Sequence, residues 1–199
     1  MASRNNTFIS DIAICMALPD IVPGRSCEDC TLCCKVLGIP ELSKPRDEVC
    51  THCDWGKGCK IYARRPGACV DFDCSYLLSP SLSEEWRPTT SHFVLGYMTE
   101  ADVTIVYVDP DHIGAWRQEP YYSVIKKWAA TSDKGYVLVY DDKGTLALAG
   151  AEEFNLGALR DDQVIVRHEQ PTPAGKKVTI YVVDKHVADM ERRGHTPPA

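Results

Sequence analysis

The chain has 199 residues and a formal net charge of −6. A chain of this length forms either one sizeable core or a small module attached to an ordinary domain. Because the net charge is negative, the protein has no general electrostatic attraction to phosphate backbones or anionic lipid. We therefore expect neither nucleic acid nor a membrane surface among its partners.

The N-terminal stretch from residue 8 to residue 22 is apolar but is interrupted by Asp11 and Asp20. It lacks the charged and then apolar pattern of a signal peptide. No segment approaches the roughly 20 apolar residues needed to span a bilayer. These features predict a soluble, cytoplasmic protein. In a reducing cytosol, dense cysteines are more often metal ligands or redox groups than disulfides.

The cysteines are distributed very unevenly. The chain has ten cysteines; Cys15 stands alone, nine lie between Cys27 and Cys74, and none follows Cys74. This asymmetry predicts a cysteine-rich metal-binding module over residues 1–78 and a separate α+β domain over residues 79–199. The candidate metal ligands are Cys27, Cys30, Cys33, Cys34, Cys50, Cys53, Cys59, Cys69 and Cys74.

The first cysteine motif has a spacing that can be compared with helix geometry. On an α-helix with about 100° per residue, Cys27, Cys30 and Cys34 fall within about 60° of one another, so that three thiolates share one stripe. Cys33 lies roughly 60° further round. The spacing thus predicts that three sulfurs of one helix grip an ion, with Cys33 either closing that site or reaching a second ion.

The other ligands come from a second C-x-x-C pair, Cys50 and Cys53, and from three single cysteines. In a C-x-x-C pair two sulfurs converge on one tetrahedral ion. Nine thiols allow two four-ligand sites with one left over, or a binuclear site with bridging thiolates. His52 lies inside the second pair and could replace a thiol, although a solvated turn residue is the simpler interpretation. Nearby basic residues could offset the excess thiolate charge: Lys35, Lys57, Lys60, Arg64 and Arg65.

The second half of the chain has the pattern of an ordinary globular domain. Residues 93–98 and 103–108 are rich in β-branched and aromatic side chains and predict two strands joined by a short turn. A helix should follow, with Pro120 near its first turn. Its predicted apolar face consists of Trp116, Tyr121, Val124, Ile125 and Trp128.

Five further elements follow the predicted helix. Residues 136–140 and 145–149 flank the hairpin signal Asp141-Asp142-Lys143-Gly144. Strands at 163–168 and 177–183 and a helix at 185–193 complete the pattern. Many strands with few helices predict a mainly antiparallel sheet with one or two packed helices, which is an α+β domain.

The cysteine pattern resembles the putative zinc- or iron-chelating family named for its CxxCxxCC motif. The resemblance rests on Cys27 through Cys34, on the run from Gly58 to Pro66, and on Cys69, Phe72 and Cys74. It implies metal binding by these cysteines and leaves the metal open. The flagellin lysine methylase is similar in carrying such a motif with an iron–sulfur cluster.

The sequence leaves two functional hypotheses open. One is a zinc protein with a structural, metal-homeostasis or protein-interaction role, in which the protein partner is unknown. The other is an iron or [4Fe-4S] protein with a redox or enzymatic role. His92, His112, His168, His186 and His195 show no spacing typical of a nucleophilic triad or of metal binding, so the sequence identifies no Ser-His-Asp or Cys-His machinery and the catalytic residues stay unknown. Zinc is slightly favoured because C-x-x-C pairs suit tetrahedral sites.

Overall fold

The computed structural model describes residues 20–192 except residues 28, 100, 102, 133 and 174, and only the backbone of residues 191 and 192. Cys15 and most of the N-terminal stretch examined for a signal peptide lie outside the described residues. No helix within the described part is both long enough and apolar enough to cross a membrane.

The cysteine-rich part consists of short elements joined by loops. Its helices and strands are α1 (Cys33–Val36), β1 (Cys53–Asp54), β2 (Gly58–Cys59), α2 (Gly67–Val70), α3 (Ser75–Leu78) and α4 (Pro88–Ser91), with 3-10 turns at Pro40–Leu42, Tyr62–Arg64 and Glu84–Trp86. None of these helices exceeds four residues, so tertiary contacts rather than helix propensity must hold them.

The remainder is built on a five-stranded sheet. Its elements are β3 (Phe93–Met98), β4 (Val103–Val108), 3-10 turns at Pro110–His112 and Ala115–Arg117, α5 (Tyr121–Thr131), β5 (Val137–Asp141), β6 (Gly144–Ala149) and β7 (Glu152–Gly157). The strand order is β3-β4-β5-β6-β7. A long hairpin of β8 (Gln163–Thr172) and β9 (Gly175–Asp184) and the helix α6 (Lys185–Arg192) follow. The predicted α+β class is confirmed.

One pair of strands runs parallel, which departs from a purely antiparallel sheet. β4 and β5 pair in parallel, whereas the other neighbouring strands pair antiparallel. The connection between them contains the two 3-10 turns and α5, and a parallel pair requires a crossover of this kind. The strand β7 was not predicted, because its sequence begins with two glutamates and lies at the edge of the sheet.

Both faces of the sheet are covered. Along β4, Val106 and Val108 face a core that includes α5 and Trp116, whereas Val103 and Ile105 face the β8–β9 hairpin. This alternation follows from the two-residue period of a strand. All five side chains of the predicted helix face pack into the same core as Val106 and Val108. However, Trp116 lies in a separate 3-10 turn, and α5 begins only after Pro120.

The cysteine-rich part packs against β3 and β4. Tyr76 and Leu77 of α3 belong to the same core as Trp116 and α5. This core therefore contains residues from both sides of position 78. The division into two domains at that position remains a prediction. Phe72 lies on Gly96 of β3, where an added Cβ would come within 3.4 Å of the Phe72 ring and 3.0 Å of Tyr107. Glycine at position 96 therefore allows the close approach.

Candidate metal centre

All nine predicted cysteine ligands line a single cavity of about 480 Å³. They are Cys27, Cys30, Cys33, Cys34, Cys50, Cys53, Cys59, Cys69 and Cys74. None of the nine forms a disulfide. The structure therefore does not contain a disulfide scaffold among these cysteines. The structure brings together every thiol that the sequence analysis selected.

The helical stripe predicted for the first motif is wrong. Helix α1 begins only at Cys33, and Cys27 and Cys30 lie in the loop that precedes it. The N–H of Cys34 bonds to the carbonyl of Thr31, which tightens the chain into the turn where α1 starts. The first motif therefore wraps around the cavity as a loop followed by one helical turn.

Backbone hydrogen bonds position the second C-x-x-C pair beside α1. The N–H of Cys50 donates to the carbonyl of Cys34 at 3.0 Å, and the N–H of Cys53 donates to the carbonyl of Cys50 at 2.9 Å. Cys53 in β1 is paired across the small ladder with Cys59 in β2. One tight turn and one two-stranded ladder thus bring three thiols to the side of the cavity next to Cys34. His52 also lines the cavity.

The last two cysteines are positioned by two short helices. Cys69 is in α2, which follows Pro66, and Cys74 is the residue before α3. Proline before the first helical residue suits the start of a helix because that position needs no backbone N–H. The N–H groups of Tyr76 and Leu77 at the start of α3 donate to the Cys74 thiol and oppose the rise in its pKa that burial causes.

The thiols that act on one another's charge form two sets. In the first set, the charges of Cys74 and Cys30 act on Cys27, and the charges of Cys27 and Cys30 act on Cys33. The hydrogen bond to Cys34 and the charge of Cys34 act on Cys33 more strongly than these two do, so Cys33 also interacts with the second set. The second set joins Cys34 to Cys53, and Cys69 to Cys34, Cys50 and Cys59. We name them the four-thiol set (Cys27, Cys30, Cys33 and Cys74) and the five-thiol set (Cys34, Cys50, Cys53, Cys59 and Cys69). The adjacent residues Cys33 and Cys34 connect the two sets.

Burial is the main electrostatic influence on most of these thiols. It raises the pKa of Cys27 and of Cys53 to about 11 each. Burial also raises the pKa of the partly buried Cys30 thiol, and the hydrogen bond donated by the N–H of Leu32 offsets part of that rise. A hydrogen bond from Cys33 to Cys34 lowers the pKa of Cys34. Backbone N–H groups directed at sulfur are the typical environment of metal-bound thiolates.

The cations near the thiols differ in part from those expected. Arg65 donates hydrogen bonds to the carbonyls of Tyr62 and Cys69. The pKa of Cys34 is lowered first by the hydrogen bond from Cys33 and then by the charges of Lys44 and Arg65. Lys35 instead points away from the sulfurs and pairs with acidic residues of the second half. Lys44 was missed because it follows α1 outside the cysteine motifs, where its ammonium group donates to the carbonyl of Lys35 and its charge lowers the pKa of Cys34.

The spacing of the sulfurs bears on the kind of metal centre. In the part of the chain that the structure describes, no three thiol sulfurs lie within 4.8 Å of one another. Four thiolates around one zinc ion, each bound at about 2.3 Å, would lie about 3.8 Å apart. In a [4Fe-4S] cluster each cysteine binds a different iron atom, so the four sulfurs stand further apart. The described sulfurs therefore do not form one compact tetrahedral site as they stand.

A second group of potential metal ligands was missed by the sequence analysis. His92, Asp109 and His112 place nitrogen and oxygen donors within 4.8 Å of one another. The register of the predicted β3–β4 hairpin contained the signal, because Phe93 pairs with Val108 and the next pair outward is His92 and Asp109. His112 follows Asp109 by one 3-10 turn. Burial lowers the pKa of His92.

The comparisons with known proteins leave the family open. No protein-family model matches the chain, and neither a curated protein nor a solved structure is significantly similar to it. The resemblance to the CxxCxxCC family therefore rests on the residues quoted above.

Proposed function

We propose that this chain is a metal-binding protein of the CxxCxxCC type whose cysteines hold an iron–sulfur cluster. The observation that carries the proposal is that nine unpaired cysteines line one cavity. A cavity with so many thiols and no disulfide has no evident structural purpose without a metal, because buried thiols alone bring little stability. The thiolates would hold the cluster, and the cluster would supply electron-transfer chemistry when bound.

The four-thiol set is the best candidate for the cluster ligands. Four cysteine thiolates are the usual ligand set of a [4Fe-4S] cluster. Cys30 and Cys74 each receive backbone N–H donors, which would stabilise bound thiolates and tune the potential of the cluster. The set also borders the large core that contains Trp86 and Phe93, since Cys27 and Cys74 pack against it. A redox or enzymatic role follows from such a cluster.

Zinc remains the second candidate, and one observation favours it for the five-thiol set. Cys34 and Cys53 are already hydrogen-bonded to each other, and Cys53 belongs to a C-x-x-C turn of the kind that binds one tetrahedral ion. Zinc in this set would have a structural, metal-homeostasis or protein-interaction role. The two candidates are compatible with one cavity because the two sets share no cysteine.

Purification without oxygen, followed by measurement of iron, acid-labile sulfide, zinc and the visible spectrum, tests the proposal. We expect about four iron and four sulfide per chain and a broad visible absorption, as a [4Fe-4S] cluster requires. A colourless protein that contains only zinc would overturn the iron–sulfur assignment in favour of the second candidate. A protein that retains no metal would overturn both.

A matched pair of variants assigns the ligands. Cys30→Ser removes a thiol from the four-thiol set, and Cys53→Ser removes one from the five-thiol set. We expect Cys30→Ser to lose the iron and sulfide, and Cys53→Ser to lose zinc if zinc is present. Ser26→Ala is the control, since Ser26 lines the same cavity without a thiol. Unchanged iron in Cys30→Ser would contradict the ligand assignment.

A further inference from the structure

The hairpin geometry fixes three potential ligands at one end of β3 and β4. The N–H of Asp109 donates to the carbonyl of His92 at 3.0 Å, which extends the β3–β4 ladder by one pair. The N–H of His112 donates to the carbonyl of Asp109 at 2.8 Å and places His112 one turn later on the same side. The backbone therefore holds all three residues together independently of the cysteine loops.

Asp109 presents one carboxylate oxygen to the histidines. Its Oδ1 accepts hydrogen bonds from the Lys35 ammonium at 2.5 Å and from the N–H of Asp111 at 3.1 Å. Its Oδ2 lies 3.1 Å from Nδ1 of His112. The Asp109 side chain is only 5 % exposed. A buried carboxylate with one oxygen already satisfied is a pre-oriented ligand, because the other oxygen can point in one direction only.

The two imidazole rings lie against each other beside this oxygen. Their centroids are 3.8 Å apart and their planes differ by 15°. His92 adopts a left-handed backbone conformation, with φ of +58°, which non-glycine residues rarely adopt outside constrained sites. His112 is exposed over 48 % of its side chain. Its ring has room on the solvent side to tilt from the stacked arrangement, and a shared ion would take the place of the hydrogen bond between Nδ1 of His112 and Oδ2 of Asp109.

We propose that His92, Asp109 and His112 form a second metal site, which binds one divalent first-row transition ion. Two imidazole nitrogens and one carboxylate oxygen are the donor set of zinc and non-haem iron(II) sites. Asp109, Asp111 and Lys35 together leave one net negative charge beside the two histidines, which favours a cation. Three protein ligands leave coordination positions open to water or substrate.

This site is distinct from the cysteine cavity in position and in chemistry. None of its three residues lines that cavity, and its nitrogen and oxygen donors select a harder ion than thiolates do. Lys35 connects the two regions, because it lies directly after Cys34 and pairs with Asp109. The proposal does not depend on which metal the cysteines hold.

Cobalt uptake by the protein as purified tests the proposal. The protein is dialysed against Co²⁺, freed of unbound ion by gel filtration, and analysed for cobalt, iron and zinc per chain. The variants are His92→Asn, in which asparagine tolerates the left-handed conformation, and His112→Ala. We expect the wild type to retain one cobalt ion per chain more than either variant, while the metal held by the cysteines stays the same in all three.

Two other histidine variants and one cysteine variant provide the controls. His168→Ala and His186→Ala remove exposed imidazoles elsewhere in the chain and should retain as much cobalt as the wild type. Cys30→Ser should retain the extra cobalt ion even when the cysteine-bound metal is lost. Equal cobalt in the wild type, His92→Asn and His112→Ala would overturn the proposal. Loss of the extra cobalt in Cys30→Ser, with retention in His92→Asn and His112→Ala, would also overturn it.

Discussion

The cysteine-rich part and the five-stranded sheet differ in what fills their interiors. Between residues 20 and 74, the described part of the chain buries three aliphatic side chains, Leu32, Val36 and Ile39, together with the thiols of Cys50 and Cys53. The sheet instead has an apolar core on each face. The same chain therefore uses hydrophobic burial in one region and lines the interior cavity of the other with thiols.

The difference has an energetic consequence. Burying one aliphatic side chain contributes about 1.5–3 kcal/mol, whereas ordering the backbone of one residue costs about 1–2 kcal/mol. Three aliphatic side chains cannot order a segment of this length on that basis. Metal binding can, because structural zinc sites in small peptides contribute about 10–16 kcal/mol. We therefore expect the first region to depend on its metal and the second region not to.

Removal of the metal should have the largest effect and tests this contrast directly. A chelator that strips the cysteine-bound metal should abolish amide protection between residues 30 and 74, because the thiolates then lose their common ligand. Strands β4 and β5 should keep their protection. Hydrogen exchange measured by mass spectrometry resolves the two regions. Equal loss of protection in both would show that they do not differ in this way.

Lys35 lies where the two regions meet, and its removal should have the next largest effect. The Lys35 and Asp109 side chains are 8 % and 5 % exposed. Burial acts to lower the pKa of Lys35, but the hydrogen bonds that Lys35 donates to Asp109 and Asp111 raise it. Lys35→Met leaves Asp109 as a buried charge without its cation, which should lower the free energy of unfolding by about 3–5 kcal/mol.

Chemical denaturation of the metal-loaded protein measures the effect of Lys35→Met. Lys57→Met is the matched control, because Lys57 is 76 % exposed and pairs with Asp54 at 3.6 Å, so its loss should change stability by less than about 1 kcal/mol. The double variant Lys35→Met with Asp109→Leu should recover much of the loss. A double variant as unstable as the single one would contradict the buried-charge explanation.

The core beneath α5 should respond to truncation with a smaller effect. Ile125 is fully buried, whereas Ile113 is 42 % exposed. Ile125→Ala should lower the free energy of unfolding by about 2–5 kcal/mol, since it removes buried methyl groups and leaves a cavity. Urea unfolding followed by tryptophan fluorescence measures the change. Ile113→Ala is the control with the same chemical change, and a similar cost for both variants would refute the assignment of this core.

The ion pair at the edge of the sheet should have the smallest effect. The Arg117 guanidinium binds the Glu153 carboxylate at 2.8 and 2.6 Å, and this hydrogen bonding lowers the pKa of Glu153. Both side chains are partly exposed, so Glu153→Gln should cost only about 0.2–1 kcal/mol. Glu152→Gln, at an exposed position on the same strand, should cost less.

The pH dependence of this effect has a definite sign. The pKa of Glu153 is lower in the folded protein than in the unfolded chain, so its contribution is complete above the unfolded pKa. It is lost as the pH falls through the lowered folded pKa. The stability difference between the wild type and Glu153→Gln should therefore shrink in acid. A difference that grows in acid would contradict the assigned ion pair.

The sheet was the easier part of the molecule to predict from sequence. Strands β3 and β4 begin and end at the predicted residues, because β-branched and aromatic runs specify both strand length and burial there. Strands β8 and β9 extend beyond their predicted bounds because hairpin pairing continues to the turn at Pro173. The parallel pairing of β4 and β5 could not be predicted, since no local pattern records where the chain returns after a helix.

The candidate site was predictable in composition but not in arrangement. The spacing of the cysteines identified all nine thiols that line the cavity. It could not show that Cys27 and Cys30 precede the helix rather than lie on it, because glycine, proline and cysteine loops follow tertiary contacts instead of a helical period. The cluster of His92, Asp109 and His112 was missed because histidines far apart in sequence meet only through strand register.

The adjacency of Cys33 and Cys34 links the occupancy of the two thiol sets. A single peptide bond joins the two residues, and one turn of α1 carries both sulfurs, so an ion in one set constrains the backbone that the other set uses. By thermodynamic reciprocity, any factor by which the first ion changes the affinity for the second is returned by the second to the first. The order in which the sets are filled then affects the rate of loading and leaves the final equilibrium unchanged.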